Sequence, residues 1–175
     1  YERPPLSKGK DGALKPIRPE EAYAEAGIDL LRGTRVDRID PASKSAFLQS
    51  GESLPYDALL LATGSRARLF STMEGCLTLR TDADADAIFQ SVQPGSTLGI
   101  IGGGFIGLEL AAVARGQGAK VTVFEASDRL LARAVPAEIA GMVGTRHHAE
   151  GVTIRTGVNV LAATGTTVSL SVSLT

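Results

Sequence analysis

Three glycines at fixed offsets and one carboxylate further on are the residues here whose types and spacing could do chemistry. Gly102, Gly104 and Gly107 stand in Gly102-Gly103-Gly104-Phe105-Ile106-Gly107, and Glu125 follows 18 residues after Gly107. Before them, Thr97 to Ile101 reads as a strand. After them, Ile106 to Gln117 reads as a helix ended by Gly118, and Lys120 to Glu125 as a second strand. A glycine turn between a strand and a helix, with an acid ending the next strand, is the pattern of a dinucleotide-binding βαβ unit. Gly102 would make the tight turn, Gly104 would admit a pyrophosphate to the backbone, and Gly107 would let helix and strand pack closely. The helix N-terminus offers unsatisfied N–H groups and a positive dipole end to phosphates. Glu125 would accept hydrogen bonds from the adenine-side ribose and repel a 2′-phosphate, favouring NAD over NADP. In a chain with 20 glycines, the alternative is a plain turn of an α/β fold.

Other candidates are weaker. Arg129 and Arg133 follow Glu125, and either could cover an adenosine or be a surface arginine. His147 and His148 are adjacent on a predicted helix, about 100° apart, which suits surface histidines and not a metal pair. Asp82, Asp84 and Asp86 lack the glycine and distal glutamate of a calcium loop and read as acids at a helix start.

The elements that must position these groups suggest two regions. Residues 19 to 27 predict a short helix with proline at its start and Gly27 at its end. The runs Ile28 to Leu31, Thr34 to Ile39 and Ser45 to Gln49, split by turn signals, predict an antiparallel meander. Tyr56 to Gly64 is nearly continuously apolar and reads as a strand buried on both faces, as in a parallel sheet. Ala83 to Val92 predicts a helix with Thr81 or Asp82 near its N-cap. Pro136 to Glu150 predicts another, with Gly151 past its end. Val152 to Ile154, Asn159 to Ala162 and Thr167 to Leu174 predict short strands. The fold class is α/β.

The 175 residues carry 18 basic and 19 acidic side chains, a net charge of −1, which gives no electrostatic footprint for nucleic acid or an anionic membrane. No apolar run nears the roughly 20 residues of a membrane helix. A single cysteine, Cys76, excludes an internal disulfide and a CxxC motif, and the expected location is the cytoplasm. The start at Tyr1 and the stop beside the alternating run Val168 to Leu174 suggest an internal piece of a longer protein, the alternative being a natural short one.

Tyr1-Glu2-Arg3-Pro4-Pro5-Leu6-Ser7-Lys8, Tyr56 to Gly64, Leu79-Arg80-Thr81 and Ile100 to Ala112 occur in one order. That order resembles the FAD-dependent, NADH-using ferredoxin reductases of aromatic-ring dioxygenase and P450 systems, relatives of the pyridine nucleotide-disulfide oxidoreductases. The resemblance implies a partial FAD-binding domain over residues 1–80, without its own GxGxxG unit, and an NAD-binding domain over 81–175, cut short at its C-terminal end. It implies Lys8 beside the flavin ring, Val36 as an adenine-side backbone contact, Thr63 and Gly64 at a strand-end turn near the cofactor, and Arg80 against FAD. It further implies Gly102, Gly103, Gly104, Phe105, Ile106 and Gly107 around the NAD pyrophosphate, and Glu125 and Arg133 at its adenosine side. Glu109 would lie near the nicotinamide and approach Lys8 across the domain junction. The implied cofactors are FAD and NAD, and the implied partner is a ferredoxin or rubredoxin. The related disulfide reductases carry a CxxxxC pair just before the flavin-side lysine. Residues 2 to 7 hold no cysteine, so the implied chemistry passes electrons singly from flavin to an iron–sulfur protein. By itself the chain is expected to bind NADH weakly and not to retain FAD. The competing reading is a non-catalytic nucleotide-binding or redox-sensing module.

Overall fold

The computed structural model describes residues 18–67, 71–165 and the backbone of 168–172. They fall into two compact units, one of residues 18–65 and one holding the described residues from Arg66 onward.

The meander unit begins with the short helix α1 (Glu21–Glu25), followed by strands β1 (Val36–Asp40), β2 (Ser45–Leu48) and β3 (Ser53–Pro55) in one antiparallel sheet. The β1–β2 turn is held by Asp40, whose Oδ1 accepts the N–H groups of Ala42 and Ser43 at 3.0 and 3.4 Å. This side chain mimics a backbone turn, which is why Asp precedes Pro there. Gly51, at φ +91°, closes the β2–β3 turn in a region that costs any other residue strain. Ala46 and Leu48 are buried. On β2 the Phe47 ring carries the Arg38 guanidinium 3.7 Å above its centroid, a cation–π contact.

Two expectations fail in this unit. Ile28 to Leu31 forms no strand, and neither does Tyr56 to Gly64: the Tyr56 N–H reaches the Lys44 oxygen at 2.9 Å, but Leu60 is 87% and Leu61 65% exposed. A strand apolar on both faces is stable only between two neighbours that satisfy its backbone. The described residues supply no such pair beside it.

The other unit is a parallel βαβαβ. Helix α2 (Asp82–Ser91) precedes β4 (Thr97–Ile101), α3 (Phe105–Gly116), β5 (Lys120–Phe124), α4 (Ala137–Ala149) and β6 (Thr153–Arg155). The sheet order is β4-β5-β6, all parallel, with Thr97 opposite Lys120 and Thr122 opposite Thr153. Strands β7 (Val158–Ala163) and β8 (Val168–Val172) follow as an antiparallel pair. Thr81 opens α2 through a capping box: its hydroxyl accepts the Asp84 N–H at 3.2 Å, and Asp84 Oδ2 accepts the Thr81 N–H at 2.8 Å.

Alanines 111 and 114 of α3 are buried with Leu108 against Ile100, Val121, Val123 and Val152, so the helix lies close on the sheet. Both α3 and α4 end as their glycines predict. Gly118 and Gly151 have φ of +87° and +84°. In each case the next residue's N–H reaches back into the last turn: Ala119 to the Ala114 oxygen, Val152 to the His147 oxygen, both at 3.0 Å. The Arg115 guanidinium ties these ends together, donating to the Ala119 oxygen at 2.6 Å and the Glu150 oxygen at 3.0 Å.

Candidate functional site

The C-terminal end of β4 runs through Gly102 and Gly103 into α3. Gly102 sits at φ +110°, and its N–H donates to the Phe124 oxygen at 2.8 Å. That bond continues the ladder while the chain turns away. A Cβ at Gly107 would land on the Gly102 carbonyl oxygen, so the first turn of α3 closes on the strand only without a side chain there. Gly104 is the N-cap, with φ −85° and ψ −176°, and a Cβ on it would meet nothing within 4 Å. Gly102 thus makes the turn and Gly107 the close packing that their spacing predicts, and Gly104 has open space beside it.

Gly103 adds a requirement that spacing does not show. A Cβ on it would stand 2.5 Å from Leu130 Cδ2 and 3.2 Å from Glu125 Cβ. Its N–H donates to Glu125 Oε2 at 2.7 Å, and its oxygen accepts the Leu131 N–H at 3.0 Å. The other carboxylate oxygen of Glu125 accepts the Ser127 N–H at 2.8 Å. Partial burial pushes the Glu125 carboxyl up, but the Ser127 and Gly103 N–H groups, the Ser127 hydroxyl and the Arg133 charge outweigh it, and the net pKa is lowered. A carboxylate has about four acceptor positions, so the two backbone bonds and the Ser127 hydroxyl leave one for a ribose hydroxyl.

The N-terminus of α3 is left open. Among the described helices it alone has neither a side-chain cap nor an acid in its first turn: Glu21, Asp82 with Asp84, and Glu138 stand at the others. Its first internal bond runs from the Leu108 N–H to the Gly104 oxygen at 3.0 Å. The N–H groups of Phe105, Ile106 and Gly107 precede that bond and have no partner within the helix. Positive dipole, open N–H groups and empty space over Gly104 are what an anion cradle needs, and this end of the helix could hold a pyrophosphate. Phe105 and Ile106, 63% and 60% exposed, edge the cradle with apolar surface. Glu109 is half-buried one turn further along α3.

The two arginines left open by sequence separate here. Arg129 is half-buried and turned inward, donating to the Ala132, Val135 and Leu130 oxygens at 2.8, 3.0 and 3.4 Å. Arg133 is exposed and its charge acts on Glu125. His147 is half-buried, and burial lowers its pKa, while His148 is exposed. His148 lines an apolar groove of about 670 Å³ along α4 and β6, with Leu130, Ala140, Gly144 and Ile154.

The flavin-side expectations fall in both units. Val36 is exposed at the start of β1, and Thr63 and Gly64 are exposed in the 56–64 stretch, Gly64 at φ +71°. These three belong to the meander unit. Arg80 belongs to the parallel-sheet unit, where its N–H donates to Asp84 Oδ2 at 2.8 Å. Lys8, and with it the Lys8–Glu109 approach, lies outside the described residues. No helix among the described residues is long and apolar enough to cross a membrane.

A glycine turn of this kind between a strand and a helix, on a parallel sheet with an acid just past the next strand, defines a nucleotide-binding α/β protein. The pyridine nucleotide-disulphide oxidoreductase model matches residues 1–175, and the chain belongs to that family. It is 39% identical over 171 residues to the 5,5′-dehydrodivanillate O-demethylase ferredoxin reductase subunit of Sphingobium sp., covering 93% of this chain and 42% of that one. It is 40% identical over 174 residues to rhodocoxin reductase of Rhodococcus erythropolis, covering 93% and 41%. Among solved structures, the ferredoxin reductase for the CYP199A2 system of Rhodopseudomonas palustris superposes with a TM-score of 0.84 at 35% identity, covering 98% of this chain and 46% of that one. The chain therefore spans less than half the length of these relatives.

Proposed function

We propose that the loop 102–107 and Glu125 bind the adenosine pyrophosphate of NADH in an FAD-dependent reductase. That reductase passes electrons from NADH to a ferredoxin or rubredoxin serving an aromatic-ring dioxygenase or P450. The observation that carries the reading is the open N-terminus of α3 above Gly104, beside a carboxylate already fixed by the same loop. The names of the relatives support the acceptor class. An NADH-consuming reductase works where NADH is kept, in the cytoplasm.

In this reading the N–H groups at the start of α3 hold the phosphates, Glu125 takes a ribose hydroxyl, and Arg133 lies over the adenosine end. Replacing Glu125 by Ser or Arg should raise NADPH use by removing a like charge and a ribose bond, a charged hydrogen bond carrying about 1.5–3 kcal/mol. Bound FAD would supply the two-electron to one-electron conversion. The described residues do not form a flavin site by themselves: every helix other than α3 opens on its own acid. We assign residues 1–80 to the FAD side and 81–175 to the NAD side, with Lys8, Val36, Thr63, Gly64 and Arg80 as flavin contacts. Glu109 and Lys8 are assigned to the reacting end, where Lys8→Ala should lower kcat more than it raises KM for NADH.

The test is reduction of a [2Fe–2S] ferredoxin by the native protein with NADH and with NADPH. NADH-dependent reduction lost on Glu125→Arg supports the reading. Binding of ADP-ribose without NADH oxidation by any one-electron acceptor overturns it in favour of a nucleotide-binding module.

A further inference from the structure

The connection from β5 to α4, residues 125–136, does more than join two elements. At one side it is fixed to the glycine loop: the Leu131 N–H donates to the Gly103 oxygen at 3.0 Å, and Leu130 fills the space a Gly103 side chain would need. Leu131 holds φ +52°, a left-handed conformation unusual for a bulky residue, and its side chain is 5% exposed. Such a conformation persists only where the surroundings enforce it. Besides the Gly103 oxygen and the packing of the Leu131 side chain, Arg129 surrounds this residue. Its two terminal nitrogens gather the carbonyls of Leu130, Ala132 and Val135, which flank both Leu131 and Arg133. The turn is completed by Ala134 N–H to the Leu131 oxygen at 2.8 Å.

Arg133 is the exposed corner of this turn and makes no hydrogen bond or ion pair with the described residues. Its side chain is long and rotatable, so its aim rests on the backbone that carries it. A planar guanidinium with five donors in a fixed fork can gather three carbonyls at once. A lysine ammonium, compact and on a flexible stem, cannot hold them in one geometry.

We infer that Arg129 is a positioning residue for NADH affinity: it braces the 130–135 turn so that Arg133 faces the adenosine end beside Glu125. The inference rests on reading the glycine loop as the NADH site. Arg129 touches no ligand and acts only through the turn. Its removal should therefore weaken whatever carries the adenosine half and spare what lacks it.

The test uses the native protein and two ligands, ADP-ribose, which is the adenosine half, and reduced nicotinamide mononucleotide, which has none. Arg129→Lys should raise the ADP-ribose inhibition constant about tenfold, the factor that one charge-assisted hydrogen bond carries at its lower limit. The same variant should change kcat/KM for the mononucleotide by less than about twofold, which a general loss of structure would not allow. In an Arg133→Gln background, Arg129→Lys should add less than about twofold, because the effect passes through Arg133. Independent, multiplying effects of the two substitutions, or an unchanged inhibition constant in Arg129→Lys, overturn the inference. Should Arg129→Lys not fold, Arg133→Gln decides alone, since its side chain is exposed: undiminished ADP-ribose affinity in that variant overturns the inference too. Failure of the unsubstituted protein to bind ADP-ribose is the separate result that removes the NADH-site reading, and the inference with it.

Discussion

The backbone N–H of Gly103 donates to Glu125 Oε2 at 2.7 Å, so the loop that would hold phosphates and the carboxylate that would hold the ribose are one hydrogen-bonded piece. Neither can move without the other. The piece is closed on its far side by Leu130, which leaves Gly103, like Gly107, no room for a side chain.

Gly103→Ala should therefore cost stability as well as affinity. The new methyl group would press on Leu130 and on the Glu125 side chain, and forced overpacking of this kind costs about 1–3 kcal/mol. Urea unfolding and the KM for NADH should both worsen. A variant with unchanged stability would show that the loop yields freely.

Gly104→Ala and Gly107→Ala form a contrasting pair. The Gly107 methyl meets the Gly102 carbonyl oxygen, a backbone atom, and should cost about 3 kcal/mol or more. The Gly104 methyl meets nothing, on a backbone open to any residue, and should cost only the poorer N-cap, at most about 1 kcal/mol. It should still weaken NADH binding, because the methyl occupies the space an anion needs. Thermal melting beside NADH titration separates the two.

Glu125 predicts a pH signature. Its carboxyl is held below the ordinary value of 4.5 in the fold, so the folded state binds its proton less readily than the unfolded chain. The stabilisation is present above 4.5 and is lost as pH falls through the lowered folded value. Glu125→Gln should thus be less stable than the parent at pH 7, and the gap should narrow as the pH drops below 4.5. Parallel denaturant curves at neutral and acid pH check this. A gap independent of pH would assign the effect to packing.

Thr81→Ala removes the hydroxyl that accepts the Asp84 N–H at the start of α2. The loss of a threonine N-cap costs about 0.5–2 kcal/mol. Restoring Ser at this position should recover most of it, as read by the midpoint of chemical unfolding. NADH affinity should stay unchanged, since α2 is not part of the glycine loop.

The sequence by itself determined those features whose causes are local. The β4–α3–β5 unit follows from short apolar runs broken by glycine, and the ends of α3 and α4 follow from Gly118 and Gly151, because a left-handed cap is a property of one residue. The turn at Gly102 and the close packing at Gly107 followed from the spacing of the motif. Tertiary structure decided what depends on neighbours distant in the chain. Gly103 is required because Leu130 and Glu125 come to lie against it. Arg129 turns inward while Arg133 stays exposed because the loop folds its carbonyls around one guanidinium, and no spacing rule distinguishes two arginines four residues apart. Tyr56 to Gly64 has the composition of a buried strand, yet a strand is a relation to its neighbours. Composition records the burial a segment suits, and only a paired backbone makes it a strand.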